Sequence, residues 1–150
     1  MMMKVDIAAL PEAVRVPAGP KVLMATTGVG EITCECREKK DMAGQHEWTF
    51  VGPVAALYSG YRKMVGKYYA GPTWEAADSS KVTGKQVAIA PASAGNIPLQ
   101  LVKAEPAMGV SYIQRLNTKG GVAPATTCDA MGKGKREVVA YEADYVFYGM

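Results

Sequence analysis

Two carboxylates beside a tryptophan are the first residues of this chain whose types and spacing could perform chemistry. Glu75 follows Trp74 directly, and Asp78 lies three residues further on. A glycosidase needs two carboxylic side chains flanking a cleft, one of them with a pKa raised by burial. Asp78 precedes two serines, however, a pattern typical of a turn in which the aspartate accepts backbone N–H bonds. A structural role for both carboxylates is therefore our leading interpretation, and a hydrolytic site at Glu75 and Asp78 is the alternative.

Other catalytic arrangements find little support among the remaining residues. The chain has one histidine, His46. A Ser-His-Asp triad would have to use it, and no Gly-x-Ser-x-Gly nucleophile elbow is present. A zinc site would lack its usual imidazole ligands. No glycine-rich phosphate loop leads into a helix either. We therefore predict no catalytic residue, no metal and no cofactor.

The three cysteines favour a disulfide over a metal site. Cys34 and Cys36 lie two residues apart on a predicted strand, which puts their Cα atoms roughly 6.5–7 Å apart. This distance is at or beyond the usual limit for a disulfide, so the two should not bridge each other. Cys128 can pair with either of them. A Cys-x-Cys metal site would lack its third and fourth ligands at any telling spacing.

Hydrophobic residues alternate with polar ones along most of the chain, as expected for half-buried strands. Ile32, Cys34 and Cys36 share one face of their segment, and residues 139–148 show the clearest alternation. Predicted strands cover residues 21–25, 31–37, 46–51, 64–69, 82–90, 97–102, 110–116 and 139–148. Glycines and prolines separate these segments. The pattern of about nine short strands predicts an all-β protein, a single antiparallel sandwich or barrel with long loops.

Length and charge narrow the class of protein further. The 150 residues fit one domain, which we place at 20–150, preceded by an extended N-terminal arm at 1–19. The net charge of +3 comes from dispersed basic residues, so no nucleic-acid partner is expected. No run of about 18 apolar residues is present, so no membrane span is predicted. Residues 1–6 lack the apolar core of a signal peptide, which fits either a cytosolic protein or a sequence that starts near a mature terminus.

Two turn-rich blocks contain the candidate binding residues. Aromatic side chains flank the Gly71-Pro72 turn; packing in the core or the turn is the leading interpretation for them, and a contact surface for a sugar or a protein is the alternative. The polar segment 117–121 is predicted to be the tip of a long hairpin, and a polar loop on a rigid sheet suits recognition. The candidate binding residues are Tyr69, Trp74, Glu75, Asp78, Arg115 and Asn117.

Several blocks of the chain resemble the DUF3455 family, in order and from about residue 10 to the end. The most specific are Gly-Pro-Thr-Trp-Glu at 71–75 and Ile-Gln-Arg-Leu-Asn-Thr at 113–118. Others are residues 30–36, Trp-Thr-Phe at 48–50, Ile-Pro-Leu at 97–99 and the closing aromatic strand at 141–148. Two positions depart from the family pattern: Tyr68 stands where a histidine is usual, and Ser79 where a glycine is usual.

The resemblance implies an exported, β-rich single domain for which no activity is established. It also implies a Cys36–Cys128 disulfide, since the family's two cysteines align with these positions, and leaves Cys34 as a buried thiol. Closing a loop of that length would stabilise the fold by roughly 4 kcal/mol. The expected compartment is periplasmic or extracellular, with the signal peptide absent from this sequence. A role for the family's histidine does not transfer to Tyr68.

A non-catalytic domain that acts by binding or assembly is the function we expect. Its partner would be a protein, a second copy of the chain, or an extracellular small molecule or glycan. By analogy of size and compartment, it could be an accessory small subunit of a larger periplasmic enzyme, such as a membrane-bound quinoprotein alcohol dehydrogenase. The alternative remains a carbohydrate-active or other hydrolytic enzyme using Glu75 and Asp78.

Overall fold

The computed structural model describes residues 9–60, 63–107 and 109–150. Its eight strands are β1 Lys21–Glu38, β2 His46–Tyr58, β3 Met64–Tyr69, β4 Thr73–Ala76, β5 Lys81–Ala90, β6 Leu99–Ala107, β7 Val110–Gly120 and β8 Arg136–Gly149. Each strand pairs antiparallel with the next, and β8 pairs back with β1 to close a barrel. This confirms the predicted all-β antiparallel architecture. Within the described residues, no helix has the length and apolar character needed to cross a bilayer.

The eight strands fit the predicted number of about nine, although the long strand β1 joins two of the predicted segments. Residues 21–25 and 31–37 both belong to β1. The glycines between them, Gly28 and Gly30, suggested a turn between two strands. Gly28 instead provides space inside the barrel, because a Cβ there would lie 2.9 Å from Cε2 of Tyr145. The segment after the Gly71-Pro72 turn adds the short strand β4, which was predicted only as a turn.

Four aromatic rings fill the middle of the barrel interior. Tyr68, Trp74, Tyr145 and Phe147, here called the aromatic plug, belong to β3, β4 and β8. Their ring centroids lie 4.8 Å apart for Tyr68 and Tyr145, and 5.0 Å apart for Tyr68 and Trp74. Trp74 also meets Tyr145 and Phe147 edge-on, at 5.9 and 6.1 Å. Such contacts add to the hydrophobic gain of burying large rings.

A second hydrophobic cluster lies beneath residues 10–16, here called the N-terminal segment. Its buried members are Val14, Val16, Ala90, Leu101, Leu116, Val146 and Tyr148. Gln114 is fully buried here, and its Nε2 donates to the backbone oxygen of Val14 at 2.7 Å. Tyr148 donates to Oε1 of the same glutamine at 2.6 Å. The segment therefore attaches to β7 and β8 by both apolar and polar contacts. Residues 1–8 of the predicted arm lie outside the described residues.

Alternate residues of β6 pack into two different hydrophobic clusters, so its leucines do not face the barrel core. Leu99 and Leu101 belong to the cluster beneath the N-terminal segment, whereas Val102 and Ala104 belong to the barrel core. Both faces of this strand are thus covered, one by the barrel interior and one by residues 14–16. The same holds for β8, where Tyr145 and Phe147 point into the core and Val146 packs beneath the segment.

The predicted disulfide is confirmed. Cys36, at the end of β1, bonds to Cys128 in the segment before β8, with Cα atoms 5.6 Å apart and a sequence separation of 92. Cys34 is a free, buried thiol two residues away. Burial raises the pKa of this thiol, which keeps it protonated and unreactive.

The prediction of a hairpin tip at residues 117–121 is wrong. Residues 117–120 belong to β7, at an irregularity between Leu116 and Lys119. The polar side chains of Asn117 and Thr118 form hydrogen bonds within the fold, so their polarity does not require a solvent-exposed loop. The hydroxyl of buried Thr118 donates to the backbone oxygen of Ile97 at 2.6 Å. Asn117 takes a positive φ of 48° and donates to Asp144 at 2.6 Å.

Thiol counting tests the disulfide directly. We expect one reactive thiol in the denatured chain without reductant, and three after reduction. Paired replacement, Cys36→Ala with Cys128→Ala, should lower the free energy of unfolding by about 4 kcal/mol because the unfolded chain regains the closed loop's entropy. Denaturant melts measure this loss. Three thiols without reductant, or unchanged stability of the double variant, would contradict the bridge.

Candidate functional site

One end of the barrel opens into a concave cavity. This mouth cavity has a volume of about 590 Å³. Residues from seven strands line it, together with the turn between β3 and β4 and the loop before β6. Two members of the aromatic plug, Tyr68 and Tyr145, are among the lining residues, so the plug forms its floor. The opening is broad, since rim residues Phe50 and Ile89 are 59% and 49% exposed.

Three tyrosines supply hydroxyl groups to this cavity. The hydroxyls of Tyr141 and Tyr145 lie 3.1 Å apart and share a hydrogen bond, and Tyr68 lines the cavity beside them. Burial raises the pKa of Tyr141 to about 12. Burial likewise raises the pKa of Tyr145 and of Tyr68. All three hydroxyls are therefore neutral at physiological pH and can donate hydrogen bonds.

Arg115 is the only charged side chain among the described residues that line the cavity. It projects from β7, and its Nε donates to the backbone oxygen of Pro98 at 3.0 Å. No described carboxylate lies within 4.0 Å of its guanidinium, and its two terminal nitrogens have no hydrogen-bond partner among the described residues. Its positive charge acts on the hydroxyls of Tyr68, Tyr141 and Tyr145 and partly offsets the rise in their pKa values.

Two glutamines form a further polar edge. Nε2 of Gln100 on β6 donates to Oε1 of Gln86 on β5 at 2.7 Å. Gln100 is 9% exposed, and its Oε1 has no hydrogen-bond partner in the described structure. Buried acceptors are normally satisfied, so an unpartnered one in a cavity wall indicates where a donor could bind.

The rest of the wall is apolar. Ile32, Phe50, Ile89 and Ile97 contribute side chains, and Pro53, Pro72 and Pro98 complete the surface. A hydrophobic wall with a few convergent polar groups is typical of a small-molecule site. The charge, the hydroxyl donors and the wall together suit an amphipathic anion.

Of the predicted binding residues, only Arg115 lines this cavity. Tyr69 and Glu75 meet on the outer side of the barrel, where the tyrosine hydroxyl donates to the carboxylate at 2.7 Å. Lys67 and Lys81 approach the same carboxylate at 3.5 and 3.8 Å. The hydrogen bond from Tyr69 and the two lysine charges lower the pKa of Glu75. This carboxyl is therefore ionised at neutral pH and unsuited to act as a general acid.

Asp78 occupies a turn, as its sequence context suggested. Its carboxylate accepts hydrogen bonds from the hydroxyl and the backbone N–H of Ser80. These bonds lower the pKa of Asp78. Ser79 in the same turn has a φ of 71°, a conformation that favours glycine. Neither Glu75 nor Asp78 thus has the raised pKa that a glycosidase acid requires.

Trp74 and Asn117, the other predicted binding residues, serve the fold. Trp74 is 3% exposed and belongs to the aromatic plug, and Asn117 bonds to Asp144 across β7 and β8. Within the described residues, no group of three or more histidine, cysteine, aspartate or glutamate side chains could hold a metal ion.

The tyrosines of the mouth cavity were missed because alternation assigns them to a core, and Gln100 was missed because alternation placed it on the face opposite Leu99 and Leu101. A signal was present: Tyr141 and Tyr145 bring hydroxyls to an inward face where phenylalanine would fill the same space. Buried tyrosine hydroxyls usually find a polar partner. Repeated inward tyrosines therefore indicate a polar pocket inside the barrel.

An alkaline titration tests the floor of the cavity. Because the folded-state pKa of Tyr141 is about 12, above the usual value near 10, folding favours its neutral form. This contribution to stability is present below pH 10 and is lost as the pH rises through 10 to 12. We expect the absorbance difference at 295 nm between wild type and Tyr141→Phe to show a tyrosinate midpoint near 12. A midpoint near 10 would contradict the buried site.

Comparison with known proteins identifies the family and nothing finer. The profile of the family described as "Protein of unknown function (DUF3455)" matches residues 17–149. Comparison with curated proteins gives no match, and neither does comparison with solved structures. The match covers nearly the whole chain and includes every strand of the barrel and all the lining residues of the mouth cavity. The chain is therefore a member of the DUF3455 family.

Proposed function

We propose that this protein is a binding barrel that holds an amphipathic anion in the mouth cavity. The ligand's carboxylate would lie against the guanidinium of Arg115, and its apolar or aromatic body against the isoleucine and phenylalanine wall. The volume of about 590 Å³ supports this role, since small-molecule sites usually measure roughly 300–1,000 Å³.

The unpaired guanidinium is the observation that carries the proposal. A charge at a half-buried position is costly unless an opposite charge or hydrogen bonds satisfy it. Arg115 has one hydrogen bond to a backbone oxygen and no carboxylate partner among the described residues. Arginine binds carboxylates through two parallel hydrogen bonds, which sets the orientation of the bound anion as well as its affinity.

The tyrosine hydroxyls support the same ligand class. Because burial raises the pKa values of Tyr68, Tyr141 and Tyr145, these groups remain neutral donors beside the positive charge. A donor and a cation together favour an oxyanion over a neutral group. The aromatic rings below them and the aliphatic side chains around them suit an apolar ligand body.

The side chains that line the cavity support binding rather than catalysis. The described lining residues include no carboxylate, imidazole, thiol or serine hydroxyl. General acid–base catalysis relies on such groups near physiological pH, and a tyrosine with a pKa of about 12 transfers protons poorly there. The hydrolytic alternative would have to use Glu75 and Asp78, whose pKa values are lowered.

We propose export and an accessory role in a larger assembly as a second, separate function. The Cys36–Cys128 bridge supports an oxidising compartment, where such bonds persist. Purification from the native source tests the assembly: co-elution with a haem-bearing quinoprotein supports an accessory subunit. Elution of the chain alone would count against it and leave the binding proposal unaffected.

Matched ligands test the role of the guanidinium. 2-Naphthoate should bind in isothermal titration calorimetry, and the neutral isostere 2-naphthamide should bind at least about tenfold more weakly. Arg115→Gln should weaken naphthoate binding by about 10- to 150-fold, because hydrogen bonds to a charged group contribute roughly 1.5–3 kcal/mol. The same variant should leave binding of the amide nearly unchanged.

Arg136→Gln is the control for that experiment. Arg136 is exposed and pairs with Glu35 at 2.8 Å, outside the mouth cavity. This variant also removes one positive charge, so it reports any general electrostatic effect on an anionic ligand. Equal naphthoate affinities of wild type and Arg115→Gln, or equal losses in both arginine variants, would refute the assigned site.

A further inference from the structure

The opposite end of the barrel contains a second cavity. This far-end cavity has a volume of about 220 Å³ and lies beyond the aromatic plug, at the end of the barrel where β1 starts and β8 ends. Leu57, Val65, Val82, Val110 and Phe147 are among its lining residues. It shares no lining residue with the mouth cavity, so the plug divides the interior into two separate compartments.

Trp74, which lines this cavity, carries an unpartnered hydrogen-bond donor. The residue is 3% exposed and lines the far-end cavity, and its indole Nε1 has no hydrogen-bond partner among the described residues. The other tryptophan, Trp48, donates from the same atom to the backbone oxygen of Thr126 at 2.8 Å. Buried indole N–H groups usually find a partner, so the open donor of Trp74 needs an acceptor that the described chain does not supply.

The polar residues that line this cavity are already engaged. The carboxylate of Glu75 accepts from Tyr69 and lies near Lys67 and Lys81, and the hydroxyl of Ser80 donates to Asp78. Glu75 also carries a negative charge, which disfavours a second anion at this end. The far-end cavity therefore suits a neutral molecule, in contrast to the mouth cavity.

Size and rim set the remaining limits on the ligand. A dry apolar cavity of about 150 Å³ can hold benzene, so about 220 Å³ suits a molecule of roughly seven heavy atoms. Nε1 exposes less than 1 Å² in this structure, so a ligand oxygen reaches it only if a lining side chain shifts. Leu23 and Met24 are 49% and 43% exposed at the rim, and methionine adapts easily to a new neighbour.

We propose that the far-end cavity binds a small, neutral, largely apolar molecule with one acceptor oxygen, such as a cyclic or short-chain ketone. The carbonyl oxygen accepts a hydrogen bond from Trp74 Nε1, and the hydrocarbon part packs against Leu57, Val82 and Phe147. This site is independent of the anion site, because the plug separates the two and different residues line them.

Two probes of similar shape test the donor. Cyclohexanone carries the acceptor and methylcyclohexane does not. In ¹H–¹⁵N NMR spectra, cyclohexanone should move the Trp74 indole proton downfield in a saturable way and leave the Trp48 signal in place. Trp48→Phe assigns the two signals. Methylcyclohexane should bind at least about tenfold more weakly and cause no downfield shift. Absence of a saturable shift, or equal binding of both probes, would overturn the proposal.

Variants locate the site without removing the plug. Val110→Phe should fill the far-end cavity and reduce cyclohexanone binding at least tenfold, with the two indole signals of a folded protein retained. Arg115→Gln should leave cyclohexanone binding unchanged, since that residue lines only the mouth cavity. An unaltered Trp74 shift in Val110→Phe, or its loss in Arg115→Gln, would contradict the far-end location.

Discussion

Packing of four aromatic rings across the barrel interior is the constraint on which the rest of this structure depends. An eight-stranded barrel leaves an interior that side chains can just fill, so large rings at mid-height determine what fits above and below them. The ring of Tyr145 has room because position 28 carries no Cβ. Tyr68 and Trp74 meet it from β3 and β4, with centroids 4.8 and 5.9 Å away. The plug thereby makes the barrel two shallow chambers rather than one channel.

The two chambers differ in the charge and donors they present. The mouth cavity combines the unpaired guanidinium of Arg115 with neutral tyrosine hydroxyls, a set that favours an oxyanion. The far-end cavity is lined by Trp74, whose buried indole N–H has no partner among the described residues, and by Glu75, whose carboxylate is already paired. Tyr68 and Trp74 belong to the same plug and face different chambers. One packing unit thus supports both proposed sites, and each can be tested without disturbing the other.

The sequence predicted the fold better than the site, for a physical reason. Alternation reports which side chains are buried, and it identified most of the strands, the inward cysteines and the closing strand correctly. Alternation cannot distinguish a filled interior from a lined cavity, so the inward tyrosines were assigned to a core. Alternation also cannot show which polar side chains form hydrogen bonds with a neighbouring segment. The polarity of Thr118 indicated a loop, although its hydroxyl is satisfied inside the fold at the backbone oxygen of Ile97. Arg115 was found because one of the most specific family blocks contains it. Trp74 was assigned to a turn because strand β4, which buries its side chain, was not predicted.

The most direct test of the anion site is a crystal structure with a heavy-atom ligand. Crystals soaked in 4-iodobenzoate should show an anomalous iodine peak inside the mouth cavity, near Ile32 and Ile97, with the carboxylate within hydrogen-bond distance of the terminal nitrogens of Arg115. An ordered 4-iodobenzoate found only outside this cavity, or found within it with its carboxylate turned away from Arg115, would contradict the account.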